Sequence, residues 1–101
     1  MATESIRYIR PQVDILASGE HYIIRADLPG VAADDLEVRV DRGTLTFIGR
    51  RPGRVNFRRQ FTIPKNTDID EVVAGLEDGV LQVTVPKSAM ARSRTIPVAV
   101  G

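Results

Sequence analysis

Cysteine and tryptophan are absent from this chain of 101 residues, and histidine occurs only once. Without cysteine the chain has no disulfide, no thiolate nucleophile and no zinc–thiolate site. No apolar run approaches the roughly 20 residues that cross a bilayer as a helix, and the first residues lack the apolar region of a secretory signal. We therefore expect no membrane span and a protein of the reducing cytoplasm.

Groups that carry catalysis are equally scarce. His21 stands beside Glu20 at the start of a predicted strand, and the serines fall in turns or linkers rather than at a nucleophile elbow. The carboxylate clusters at 34–35 and 68–71 lack the spacing of a calcium-binding loop. The eight glycines mark turns and form no phosphate-binding loop. The sequence thus predicts no enzyme, no metal site and no cofactor.

The chain does have a repeated alternation of apolar and polar residues, with the period of two that indicates half-buried strands. Proline and glycine punctuate the segments. Asp68 is open to two interpretations, since it precedes either a helical turn or a strand at 72–76. Short strands at regular spacing with almost no helix predict an all-β fold, an antiparallel β-sandwich. The predicted strands are 13–18, 21–28, 36–40, 44–49, 55–63, 72–76 and 80–86.

Arginine supplies the main charge feature, a cluster within the segment 50–59. Nucleic-acid binding is one interpretation, because phosphates attract arginine. The few aromatic residues and the net charge of +1 favour instead a solvated loop and an edge strand that charge protects from aggregation. We therefore expect no nucleic-acid partner. Alternation turns Arg59 to the apolar side, where a half-buried guanidinium needs a carboxylate, so we expect it to be paired across an interface.

The last part of the chain, RTIPVAV at 94–100, is unusually apolar for a tail. Ile96, Val98 and Val100 would project to one side of an extended segment. An extended peptide whose alternate side chains fill pockets is a known binding mode, and Pro97 lowers the entropy lost on docking. The other interpretation is that this segment pairs as an edge strand within its own domain.

Four segments, in order and with natural spacing, resemble the α-crystallin domain of small heat-shock proteins. The segments are ADLPGV at 26–31 with DDLEVRV at 34–40, FRRQFTIP at 57–64, AGLEDGVLQVTVPK at 74–87, and TIPV at 95–98. The third segment carries that family's A-x-x-x-[ND]-G-x-L signature through Ala74, Asp78, Gly79 and Leu81. The fourth resembles its C-terminal I-x-I/V motif.

The resemblance implies an immunoglobulin-like sandwich of seven or eight strands in an ATP-independent holdase. Its partners would be unfolded client proteins and copies of itself, as a homo-oligomer (dimer or larger). The expected organisation is a short N-terminal arm at 1–11, the domain at 12–87 and a C-terminal extension at 88–101. The motif residues Ile96 and Val98 would dock into a groove on a neighbouring subunit. The implied groove positions are Leu36, Val38, Val40, Val72 and Ala74, and the implied dimer-interface residues are Phe57, Arg59 and Phe61.

The sequence departs from the family in the loop RRPGR at 50–54. Bacterial and plant members carry in this loop an extra strand that is swapped between subunits. The five residues of this loop span at most ~18 Å when extended, which is too short for the chain to form an extra strand and return. Edge pairing of 55–63, as in animal members, remains open, as do a monomer and a new interface. A CS-like co-chaperone or adaptor, and an assembly scaffold with one defined partner, are the alternative functions.

Overall fold

A computed structural model describes residues 7–88 and 98–99, and they form a β-sandwich with two short 3₁₀ turns. The strands are β1 Tyr8–Ile9, β2 Val13–Ala17, β3 His21–Asp27, β4 Leu36–Asp41, β5 Thr44–Gly49, β6 Asn56–Thr62, β7 Val73–Glu77 and β8 Val80–Pro86. One sheet has the order β1-β6-β5-β4, and the other has the order β2-β3-β8-β7.

All of the predicted strands are present, and the all-β class is confirmed. The strand that alternation did not predict is β1, which pairs in parallel with β6 through Tyr8 opposite Asn56 and Ile9 opposite Phe57. Both interpretations of Asp68 hold in succession, since a 3₁₀ turn at Ile69–Glu71 leads into β7. The Asp68 side chain makes no capping hydrogen bond there.

Two tight hairpins set the register of the sheets. Arg42 and Gly43 join β4 to β5 with φ values of 49° and 78°, and Asp78 and Gly79 join β7 to β8 with 51° and 76°. Positive φ at both central residues is the requirement of a type I′ turn, whose twist matches that of the strands. The Asp-Gly pair of the second hairpin is a strong sequence indicator of this turn.

The core lies between the inner faces of the two sheets. Phe47 is fully buried and stacks on Phe61 with ring centroids 6.2 Å apart. Gly49 gives close approach, because a Cβ there would lie 3.0 Å from a methyl carbon of Val31. The buried apolar side chains are Ile24, Ala26, Leu28, Val31, Leu45, Phe47, Phe57, Ile63, Leu81, Val83 and Val85.

The sandwich has two open flanks. At one flank β4 and β7 are the edge strands of their sheets. At the opposite flank β2 is an edge strand, and β6 is covered by β1 only at Asn56 and Phe57. These two flanks hold the positions nominated for the groove and for the dimer interface.

Candidate functional site

An apolar groove of about 280 Å³ runs between the edge strands β4 and β7. Alternation turns Leu36 and Val38 of β4, and Ala74 of β7, towards the inside of the sandwich. Because no further strand of residues 7–88 covers this flank, Ala74 is exposed although it faces inwards. A groove between two strand edges suits an extended segment with apolar side chains at alternate positions.

Of the five nominated groove positions, Leu36, Val38 and Ala74 line this opening. Val40 and Val72 are half-buried against the core and are not among the lining residues. The sequence analysis did not nominate Ala33, Gly75 or Leu76, which complete the lining. Leu76 was within reach of sequence reasoning, since it shares the face of Ala74 along β7.

The C-terminal motif is only partly within the described residues. Ile96 lies outside them, and Val98 is 88% exposed. Val98 and Ala99 belong to no strand, so this described pair is not an edge strand of its own domain. The side chain of Val98 is therefore available to an apolar partner.

The opposite flank carries the nominated interface residues, all on β6. Phe57 is 5% exposed and packs in the core on the inner face of β6. Arg59 is half-buried; its Nη1 donates to the carbonyl oxygen of Pro11 at 3.3 Å, and its Nε is buried without a hydrogen-bond partner. The Arg59 guanidinium also lies 4.9 Å from the ring centroid of Phe61. The ion pairs of the described residues do not include Arg59, and its pairing across an interface stays a prediction.

A second apolar groove, of about 230 Å³, opens beside β6 on this flank. Ile15 of the edge strand β2 borders it and is 56% exposed. Phe61 and the residues that follow β6 form the other wall. The complete lining is Ile15, Tyr22, Ile24, Phe61, Thr62, Ile63, Pro64 and Val85.

The interpretation of the arginine cluster as a solvated loop is wrong for Arg51, which is 8% exposed. Its Nε donates to the carbonyl oxygen of Val55 at 2.8 Å, and its backbone N–H donates to Oδ1 of Asn56 at 2.9 Å. The guanidinium lies 4.2 Å from the ring centroid of Phe57. Arg51 thus closes the short loop over the core, and charge counting gives no indication of this.

One exposed arginine of the cluster, Arg50, has a partner on β4. Glu37 pairs with Arg39 at 3.2 Å and with Arg50 at 3.7 Å, and all three side chains remain partly exposed. Exposed pairs of this kind contribute little to stability.

Within residues 7–88 and 98–99, no group of His, Cys, Asp and Glu side chains could hold a metal ion. His21 is half-buried at the first position of β3. Among the same described residues no helix is long and apolar enough to cross a membrane.

Comparison with known proteins gives consistent matches. A model of the Hsp20/alpha crystallin family matches residues 14–99. The 18 kDa antigen of Mycobacterium leprae is 32% identical over 88% of this chain and 71% of its own length. The 18.3 kDa class I heat shock protein of Oxybasis rubra is 32% identical over 86% of this chain, which spans 64% of that relative. The structure of a small heat-shock protein from Xylella fastidiosa is 33% identical, covers 88% of this chain and 95% of its own, and superposes with a TM-score of 0.72.

Proposed function

Because this chain belongs to the Hsp20/alpha crystallin family, we propose that it is an ATP-independent chaperone that holds unfolding proteins and assembles through its C-terminal motif. The observation that carries this proposal is the open groove between β4 and β7, lined by Leu36, Val38 and Ala74. The exposed Val98 of the same chain supplies an apolar side chain that suits this groove. The clients would be proteins that expose apolar segments as they unfold.

The tail and the groove would join different subunits. Burial of two aliphatic side chains contributes ~3–5 kcal/mol before the cost of ordering the segment. One such contact is weak and exchanges readily, while several in one assembly act together through effective concentration. Release of the tail would uncover the groove for a client, so the same surface serves assembly and capture.

The dimer would form on the opposite flank through β6, with Arg59 and Phe61 at the contact and Phe57 beneath it. The loop at 50–54 is closed by Arg51 and carries no strand. Two features support edge pairing instead: the buried, unpartnered Nε of Arg59 and the apolar groove next to Phe61. The relative from Xylella fastidiosa is described as having a distinct high order structure, and we propose assembly for this chain as well.

Aggregation of several unrelated client proteins, followed by light scattering without nucleotide, tests the holdase activity. We expect suppression at substoichiometric to equimolar ratios of chaperone to client. No suppression for any client would refute the proposal. One stoichiometric partner captured in place of general suppression would support a dedicated adaptor or an assembly scaffold.

The mass of the assembly tests the role of the tail. The double variant Ile96→Gly, Val98→Gly removes both apolar anchors, and multi-angle light scattering should show a smaller particle than for the unmodified chain. Ala99→Gly is the matched control, because it adds flexibility beside the motif without removing an anchor. Equal masses for the double variant and the unmodified chain would exclude the tail as an assembly contact.

A further inference from the structure

We propose that two copies of this chain pair through residues 58–62 of β6, antiparallel and centred on Gln60, while β1 stays in place in each copy. This inference rests on the self-association proposed above and adds the register of the contact. The register follows from three properties of β6: the part of its edge that is covered, the direction of its backbone groups and the charges on its inner face.

The covered part of the edge lies at the start of β6. β1 pairs with Asn56 and Phe57, and the Asn56 N–H donates to the carbonyl oxygen of Arg7 at 3.1 Å. The segment then leaves the strand and reaches Pro11, which is buried and accepts from Arg59. The edge open to a second strand therefore runs from Arg58 to Thr62.

The direction of the backbone groups alternates along a strand. Asn56 points its N–H outwards to β1, while Ile63 points its N–H the other way, to Gly43 in the hairpin beside β5. Arg58, Gln60 and Thr62 consequently present their N–H and C=O groups to the open edge. With Gln60 opposite Gln60, Arg58 faces Thr62 of the second copy, and every one of these groups gains a partner in a ladder of facing pairs.

Two neighbouring registers, centred on Arg59 or on Phe61, also bring the outward-facing backbone groups of the two strands together, but both would give a less stable dimer. Centring on Arg59 would bring two guanidinium groups directly opposite each other, which is destabilising, and would need Asn56, whose N–H is already bound to Arg7. Centring on Phe61 would set Arg58 opposite Pro64, which has no N–H to donate.

The inner face of β6 agrees with the Gln60 register. Arg59 then stands opposite Phe61 of the second copy, so the guanidinium meets an aromatic ring rather than another cation. The added strand also lies along the groove bordered by Ile15 and covers its apolar lining. Antiparallel pairing about one residue makes both contacts twice in the dimer.

The absence of cysteine from the chain makes the register measurable by single introduced cysteines. Arg58, Gln60 and Thr62 are exposed on the outer face, so Arg58→Cys, Gln60→Cys and Thr62→Cys leave the core intact. Facing residues of a hydrogen-bonded pair have Cα atoms about 5.5 Å apart, within the range that a disulfide spans. Oxidation followed by non-reducing electrophoresis gives the yield of cross-linked dimer for each variant.

We expect Gln60→Cys to cross-link with itself at least about tenfold faster than Arg58→Cys or Thr62→Cys alone, since only residue 60 faces its own copy. A mixture of Arg58→Cys and Thr62→Cys should form the mixed dimer. A mixed dimer of Arg58→Cys with Gln60→Cys, told apart from the Gln60→Cys homodimer by its intact mass, would show the Arg59 register. A mixed dimer of Gln60→Cys with Thr62→Cys would show the Phe61 register, and either mixed dimer as the main product would overturn the inference.

The full-length variant Ile9→Pro tests the part played by β1, because proline removes an N–H from this strand. If β1 sets the register, self-cross-linking of Gln60→Cys should fall when Ile9→Pro is added, and an Asn56→Cys and Thr62→Cys mixture should begin to react. Unchanged yields would show that β1 plays no part. Light scattering of the reduced variants separates the two proposals, because a monomer at every concentration refutes self-association, whereas a dimer with other cross-links refutes only the register.

Discussion

The guanidinium of Arg51 lies over the ring of Phe57, 4.2 Å from its centroid. The carbonyl oxygen of Val55 accepts from Arg51 Nε at 2.8 Å and holds the guanidinium in this position. The two contacts fix the loop at 50–54 against the start of strand β6. An arginine thus contributes here to the interior of the fold rather than to its surface charge.

Arg51→Ala should lower the free energy of unfolding by about 2–3 kcal/mol, because it removes a hydrogen bond to a backbone carbonyl and a cation–π contact together. Urea unfolding followed by circular dichroism measures the change. Arg54→Ala is the control from the same loop; Arg54 is exposed, so its loss should stay within about 0.5 kcal/mol. Equal losses for the two variants would contradict the structural role of Arg51.

Gly49→Ala should destabilise the domain by about 1–3 kcal/mol through overpacking, since the added methyl would lie 3.0 Å from Val31. Gly75→Ala is the control, because a Cβ at Gly75 meets nothing within 4 Å. Thermal unfolding of the two variants compares them directly. Val31→Ala introduced with Gly49→Ala should cost less than the sum of the single changes, and strict additivity would argue against the predicted clash.

Ala74→Glu should reduce the mass of the assembly as the tail variants do, because a carboxylate in an apolar groove is costly to bury. Val73→Glu is the adjacent control: Val73 is 65% exposed and faces away from the groove. Light scattering should leave the control at the mass of the unmodified chain. Ala74→Glu combined with Ile96→Gly and Val98→Gly should lower the mass no further, and a further decrease would show that groove and tail act separately.

Arg59→Met should separate folding from self-association. Methionine keeps the aliphatic contact. It loses the 3.3 Å hydrogen bond to Pro11 and the contact with Phe61 of the same chain, but it also removes a buried nitrogen that lacks a partner. Because these effects oppose each other, the free energy of unfolding of the single chain should change by less than about 1 kcal/mol. The dimer should weaken about tenfold, since two contacts of ~0.5–1 kcal/mol with Phe61 are lost. Arg25→Met, on an exposed face of the other sheet, is the control for loss of charge. Analytical ultracentrifugation gives the dissociation constants, and an unchanged dimer would remove Arg59 from the interface.

Alternation predicted the strands well because burial of one face imposes a period of two over five or more residues. Val38, between the polar residues Glu37 and Arg39, shows the pattern in the sequence, and in the structure it packs against the core from β4. β1 was beyond this reasoning, since Tyr8 and Ile9 are too short a stretch to show a period, and their pairing partner is far along the chain.

The groove was predictable in part, but from the family resemblance rather than from alternation. Leu36, Val38 and Ala74 were implied by that resemblance, and in the structure they line the groove. The burial of Arg51 was not, because it depends on an aromatic ring and a carbonyl oxygen that meet the guanidinium only after the loop has closed. Composition records the charge of a side chain but not what it packs against.

The sheet orders that expose β4 with β7 on one flank, and β6 with β2 on the other, have a consequence for how many chains one particle holds. A β6 strand that pairs with β6 of a second copy makes an isologous contact, whereas a tail that enters the groove of a neighbouring subunit makes a heterologous one. A closed particle that contains both contacts has a twofold axis at each β6 pair and a ring of subunits joined by their tails. Its subunits would then come in pairs, and an odd-numbered particle would leave one dyad unsatisfied.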